Sequence, residues 1–237
     1  MTNAATDEVV GKPGPADLLE IFYAPRAVFA RRRGGEFGLP LVALVVIVAI
    51  VSVATANLMQ PLVDAMITKG IAKGAASMTP EQIETAKSFG EKMSIVGQPI
   101  TFLILPFVVG LLIWLVGKLA GVKQGYGVAV MIATFAFFPR IIGIIVNAVE
   151  AAFMPDSAFT SPMAFSISPA RFVDATHAPV LTAVLGRFDL FTLWSTLLIG
   201  IGVMVTARAT RQQAWITAGG VWLIALIPTL WGALRTA

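Results

Sequence analysis

Five apolar runs, each about twenty residues long, constrain this chain more than any other feature. They occupy about residues 39–59, 100–119, 126–149, 189–207 and 214–234. A helix of that length crosses the ~30 Å hydrocarbon core of a bilayer, because each helical residue rises 1.5 Å. Hydrophobic residues make up 57% of the chain and charged residues only 13%. The sequence therefore predicts an all-α polytopic membrane protein, a bundle of five transmembrane helices.

The chain begins with a polar segment that leads into an amphipathic one. Residues 1–16 mix small, polar and charged types with Gly and Pro, which predicts a disordered cytoplasmic tail. Residues 17–237 are predicted to form a single membrane domain. Before the first span, a stripe of apolar residues predicts an N-terminal amphipathic helix at the membrane interface. The stripe is interrupted at Pro25 and consists of Leu18, Ile21, Phe22, Val28 and Phe29.

A basic cluster lies beside this segment and sets the expected orientation. It consists of Arg26, Arg31, Arg32 and Arg33. Basic residues that flank a span stay in the cytoplasm, so the N-terminus is predicted inside and, after five spans, the C-terminus outside. Two interpretations remain open. The cluster is a topology signal on a segment that covers the floor of the bundle, or it binds anionic lipid or a protein partner at the membrane surface.

Two longer segments are predicted outside the cytoplasm. In residues 60–98, Thr79, Pro80 and Gln82 form a helix start with an N-cap, a proline at the first position and a capping-box residue. They predict a short extracytoplasmic helix. Residues 150–187 contain four prolines and predict short irregular or interfacial pieces. The single histidine, His177, has no metal-ligand neighbours in sequence and is predicted at the surface.

One charge stands deep inside an apolar run. Arg140 follows Pro139 in the third span, and a charge at that depth marks a candidate functional site. The predicted topology places a polar cluster in the outer half of the bilayer, made of Arg140, Asp189, Asn147, Asn57, Gln98 and Thr192. Three interpretations follow: an interhelical clamp, an Arg140 that extends toward phosphates, or an ion or substrate path. In the most specific form, Arg140 joins the third and fourth spans through Asp189.

The order of these features resembles the Yip1 domain family, in its bacterial branch. The resemblance covers about residues 17–234 and rests on residues 21–29, 78–83, 125–126 and 189–194, with Pro139 inside the third span. It implies five spans and a cytoplasmic N-terminus. Eukaryotic members are linked to small GTPases and vesicle transport, but this chain lacks their Asp-Leu-Tyr-Gly-Pro motif, so that link is not carried over. The family supplies no catalytic residues.

The chemistry of the sequence indicates a function based on contact. It has no cysteine and no phosphate-binding, zinc-protease or nucleophile-elbow motif, so we expect no enzyme, no cofactor, no metal site and no nucleic acid partner. The leading hypothesis is an accessory or scaffold subunit of a membrane assembly, with transport as one function of that assembly. Its expected surroundings are the bacterial cytoplasmic membrane and a membrane-protein partner or further copies of itself. The alternatives are a small permease or channel, and a membrane-shaping or lipid-handling protein.

Overall fold

The structure, a computed structural model, describes residues 11–72, 79–154 and 165–235. The first ten residues of the predicted tail lie outside these ranges. The described residues form α-helices and one 3-10 helix, Pro169–Phe172, with no strand among them. The α-helices are α1 Asp17–Glu20, α2 Pro25–Arg31, α3 Gly38–Ala72, α4 Pro80–Leu119, α5 Tyr126–Ala136, α6 Phe138–Ala151, α7 Pro179–Gly186, α8 Leu190–Thr206, α9 Arg211–Ile224 and α10 Ile227–Leu234.

The described helices confirm a polytopic, all-helical membrane protein with four to five spans. Four stretches are long and apolar enough to cross a bilayer, namely Gly38–Thr68, Pro80–Leu119, Tyr126–Ala151 and Arg211–Leu234. A fifth crossing is present if α7 and α8 count as one span, since the two meet at an angle of 47°. The predicted fourth span corresponds to α8 alone. Asp189 begins this helix as its N-cap, and Arg187 and Phe188 form the turn before it.

The first two spans are much longer helices than the apolar runs predicted. α3 contains 35 residues and α4 contains 40, which correspond to about 50 and 60 Å. The predicted helix start is correct: Gln82 N donates to Thr79 Oγ1, and Thr79 N donates to Gln82 Oε1. The expectation of a short, separate helix there is wrong, because the helix continues through Pro99 into the second span.

Prolines interrupt the third and fifth spans. α5 ends at Ala136 and α6 begins at Phe138, just before Pro139, while α9 and α10 are separated at Ala225 and Leu226, just before Pro228. A proline has no N–H to donate and its ring crowds the preceding turn, so a helix commonly breaks or bends there. The predicted spans are therefore right in extent, and each contains an internal break.

The described chain divides into two compact units. The first contains residues 11–44, Ile104–Pro139 and Trp194–Ile224. Inside it, α5 is buried from Ala129 to Ala136. Glycine permits close helix contacts: a Cβ on Gly110 would lie 2.8 Å from Val130 Cα, and one on Gly220 would lie 2.7 Å from Val116 Cγ1.

The N-terminal segment, which the sequence predicts as an amphipathic interfacial helix, belongs to this first unit. It forms two short helices, α1 and α2, and Ile21, Val28 and Phe29 are completely buried. Phe29 packs edge-on against Phe135 of α5, with ring centroids 6.1 Å apart. These three members of the apolar stripe therefore pack against protein, while Leu18 and Phe22 are half-buried. The interpretation that this segment covers part of the bundle agrees with the packing.

The second unit contains Val45–Leu103, Arg140–Leu193 and the described residues from Ala225 onward. In it, α7 packs against α10 and against the 3-10 helix. A small apolar cluster of Leu62, Ala151 and Phe165 joins α3 to the end of α6. The pieces of residues 150–187 that the structure describes are short, as the prolines predicted.

His177 is exposed, as predicted from the sequence. It forms a hydrogen bond with Asp174, which lowers the pKa of the Asp174 carboxyl to about 2.

Candidate functional site

A cavity of about 340 Å³ lies within the second unit, between α3, α4 and α6. Two members of the predicted polar cluster, Gln98 and Asn147, line it, and none of its described lining residues carries a charge. Its other polar residues are Ser52, Thr55 and Ser94. Its apolar wall includes Met59, Leu62, Met66 and Phe165. This combination forms an amphipathic, uncharged site whose volume is at the small end of ligand pockets.

The amides that face the cavity are held by hydrogen bonds. Ser52 Oγ donates to Gln98 Oε1 over 3.2 Å, which ties α3 to α4. With its amide oriented to satisfy its neighbours, Asn147 Nδ2 donates to the carbonyls of Phe165 at 2.8 Å and Gly143 at 3.2 Å. These bonds fix the orientation of both side chains. The polar side of the site is therefore held in place by hydrogen bonds within the protein.

Arg140 and Asp189 lie in the same unit and interact electrostatically. The Asp189 carboxylate also caps α8, because its Oδ1 accepts from the backbone N–H groups of Phe191 at 3.0 Å and Thr192 at 3.1 Å. Arg187 is a second cation that interacts with Arg140, and the sequence analysis did not include it in the cluster. A direct clamp between Arg140 and Asp189 stays a prediction. Thr192 contributes its backbone N–H to this arrangement.

Asn57 does not join the other amides. It lies on an exposed face of α3 and is not among the residues that line the cavity. Ser52 and Ser94, which do line it, were missed by the sequence analysis. Ser52 lies inside an apolar run and Ser94 in a predicted outer segment. At either position a serine looks the same whether it faces a neighbouring helix or a cavity, so only the relative rotation of α3 and α4 identifies these two.

The predicted basic cluster is divided by the structure. Arg32 is buried, and its Nε donates to Asp17 Oδ2 at 2.7 Å, while Arg31 forms ion pairs with Asp17 and Glu20. Burial alone would lower the pKa of Arg31, but the bonds to Glu20 and Asp17 raise it above the usual value. Asp17 is 1% exposed and also accepts from Gly14 N at 3.1 Å.

This ion-pair network changes two expectations. Arg32 Nη2 donates to the carbonyl of Gly14 at 3.1 Å, so the described chain before Asp17 takes part in the first unit and is not all tail. The Arg32 guanidinium also lies 5.4 Å from the centroid of the Phe135 ring, a cation–π contact that ties it to α5. Two members of the predicted cluster, Arg31 and Arg32, are thus held in ion pairs within the protein, and Arg26 and Arg33 are exposed.

Within the ranges that the structure describes, no group of three His, Cys, Asp or Glu residues could hold a metal ion.

Comparison with known proteins identifies the family. The Yip1 domain model matches residues 19–232, nearly the whole chain. The chain belongs to the Yip1 domain family. Membrane protein YknW of Bacillus subtilis (strain 168) is 26% identical over 204 residues, which cover 85% of this chain and 83% of that protein. No solved structure is significantly similar to this chain.

Membership of the Yip1 domain family confirms the resemblance seen in the sequence. The match extends from α1 to α10, so the cavity lies inside the family domain, whereas Asp17 precedes the matched residues by two positions. The chain is therefore a multi-pass membrane protein of this family.

Proposed function

We propose that this chain is a non-enzymatic subunit of an assembly in the bacterial cytoplasmic membrane, and that it acts through contact with a partner membrane protein. Its N-terminus is inside and its C-terminus outside. The absence of catalytic motifs from the sequence and the flanking basic residues support this proposal. The similarity to a bacterial membrane protein agrees with the location.

The length of α3 and α4 is the observation that carries the proposal. No charged residue lies between Glu36, just before α3, and Asp64 within it. None lies between Lys92 and Lys118 on α4. Each stretch is about 40 Å long, close to the thickness of a bilayer with its headgroup regions. Both helices continue past this layer, and α4 extends about 18 Å further, to Pro80.

The extending part of α4 presents an exposed apolar side chain. Phe89 is 64% exposed, and it continues a stripe formed by Met93 and Val96 at helical spacing. On the neighbouring face, a Cβ on Gly90 would lie 2.7 Å from Ile67 Cδ1, so that face packs against α3. Because Phe89 lies beyond Lys92, lipid tails do not cover it. A partner protein that binds this helix end would cover it instead.

Extraction in gentle detergent, followed by mass spectrometry of the co-purifying proteins, tests this proposal. We expect one set of membrane proteins to purify with the tagged chain in fixed ratio. We expect Phe89→Gln to remove that set, and Lys87→Gln, a change on the same extending helix end, to retain it. Recovery of the chain alone as a monomer, or an identical set from the Phe89 variant, would contradict the proposal.

A permease or channel is the second candidate, and the break in the third span favours it. α5 ends at Ala136, and Pro139 and Arg140 lie in the first turn of α6. Interrupted helices beside a charge occur where a membrane protein lines a path. If this function holds, flux of ions or small solutes into liposomes will fall when a folded Arg140→Leu variant replaces the native chain. Unchanged flux would remove this role from Arg140. The membrane-shaping alternative needs a lipid-facing apolar stripe before Arg31, and the burial of Ile21, Val28 and Phe29 makes it the weaker candidate.

A further inference from the structure

We propose that the cavity in the second unit binds a single-chain, uncharged amphiphile whose headgroup carries both an ester carbonyl and a hydroxyl, as in a monoacylglycerol. This inference does not depend on the proposed contact function. It rests on three observations: the hydrogen-bonding groups that the cavity offers, the absence of charge from its described lining, and its position along α3 and α4.

The hydrogen-bonding groups of the cavity are mostly acceptors. A hydroxyl has one proton, and the three hydroxyls here use theirs within the protein. Ser52 donates to Gln98, Thr55 donates to the carbonyl of Val51 at 2.8 Å, and Ser94 donates to the carbonyl of Glu91 at 2.7 Å. Each oxygen can still accept a hydrogen bond. A ligand that bonds to these hydroxyls must therefore supply a proton, as an alcohol does.

Gln98 supplies the complementary donor. Its Oε1 accepts from Ser52, so its Nε2 amide carries the remaining hydrogen-bonding capacity. No described residue accepts a hydrogen bond from Nε2. An ester carbonyl is an acceptor that fits this amide and is common at the surface of the hydrocarbon layer. The cavity thus matches a headgroup that both accepts and donates.

The size and charge of the site narrow the ligand further. At about 340 Å³ the cavity is at the small end of the range for small-molecule sites, about 300–1,000 Å³, so one acyl chain fits better than two. The wall of Met59, Leu62 and Met66 suits an alkyl chain. An anionic headgroup would lose its hydration without finding a cation among the described lining residues, which is unfavourable.

The position of the cavity agrees with a lipid ligand. On α4 it begins at Ser94, two residues from Lys92, where the charge-free layer ends. On α3 it extends from Ser52 to Met66, across the matching edge at Asp64. An amphiphile can therefore enter sideways from the lipid layer. Its headgroup reaches Gln98 and Ser52 about 9 and 18 Å inward of these edges, where an uncharged group costs least to bury.

Photolabelling of the full chain in phosphatidylcholine vesicles tests the proposal. The probe is a monoacylglycerol with a diazirine in its acyl chain, added as a trace component. We expect labels on the peptides that contain residues 52–66 and 94–98. We expect unlabelled monooleoylglycerol to compete and oleoyl lysophosphatidylglycerol, which is anionic, to compete at least tenfold less well.

Two variants separate the cavity from the general lipid surface. Gln98→Leu keeps the approximate size of the side chain but removes the donor, and we expect about tenfold less labelling of these peptides. Asn57→Leu changes an exposed amide on α3 outside the cavity and should leave labelling unchanged. Equal labelling of both variants and the native chain would overturn the proposal. Equal competition by the two lipids in the native chain would overturn it as well, whether or not the Gln98 variant folds.

Discussion

At the scale of single residues, Asp17 is the side chain on which most of the N-terminal structure depends. Its buried carboxylate joins Arg31, Arg32 and the backbone of Gly14. The sequence showed three consecutive arginines before a span, which is the common pattern of a topology signal. It could not show that an acid fourteen residues earlier folds back onto them, because that pairing depends on the turn between α1 and α2.

We predict that Asp17→Asn destabilises the protein by about 3 kcal/mol. The change leaves the Arg32 guanidinium buried without its counter-charge, and breaking one side of a buried ion pair is strongly unfavourable. Glu20→Gln is the matched control. It removes the more exposed partner of Arg31, so it should cost less than ~1 kcal/mol. Thermal unfolding in detergent, followed by the loss of helical circular dichroism, compares the two. Similar losses from both variants would contradict the role given to Asp17.

The predicted clamp between Arg140 and Asp189 also belongs to this scale. Asp189→Asn isolates the charge, since asparagine caps a helix as well as aspartate does and α8 keeps its N-cap. A double-mutant cycle with Arg140→Gln should then give a coupling free energy of about 1 kcal/mol, the size measured for polar contacts between transmembrane helices. Additive effects of the two changes in the unfolding free energy would show that no clamp exists.

At the scale of elements, the apolar runs predicted where the helices cross the membrane but not where they end. The runs end where polar residues begin, near Gln60 and Gln98, and both helices continue through those positions. Helical hydrogen bonding does not require apolar side chains. Pro61 and Pro99 are accommodated inside the helices, so neither proline gave a reliable boundary. The capping pattern at Thr79, by contrast, gave the start of α4 correctly.

The contact between α4 and α5 yields a prediction at this scale. Gly110→Ala would place a Cβ 2.8 Å from Val130 Cα, a backbone atom that cannot rotate away. We therefore expect a loss of about 1–3 kcal/mol, typical of overpacking. Gly219→Ala is the matched control, because no atom lies within 4 Å of its new Cβ and alanine favours the helix by up to ~1 kcal/mol. The two variants should shift the unfolding temperature in opposite directions. If Gly110→Ala left the unfolding temperature unchanged, α4 and α5 would separate easily at this contact.

At the scale of the whole molecule, the sequence was sufficient for the class of protein and the family. Composition and five apolar runs predicted a helical membrane protein, and the structure and the family match agree. The candidate site was predictable only in part. Gln98 and Asn147 share a cavity, but Asn57 lies apart from it and Ser52 was missed. A polar residue in a span is a candidate site residue, but the sequence does not show whether its side chain faces a cavity, a neighbouring helix or lipid. That depends on how each helix is rotated against its neighbours.

In the proposed five-crossing orientation, the N-terminal end of α4, the cavity and Asp189 lie toward the outer side of the membrane. Single-cysteine labelling in intact cells tests it directly, because the chain contains no cysteine of its own. We predict that an impermeant maleimide labels Thr79→Cys and Arg235→Cys in intact cells, and that it labels Lys123→Cys and Arg208→Cys only after lysis. Labelling of Lys123→Cys in intact cells, or protection of Arg235→Cys until lysis, would contradict the five-crossing topology.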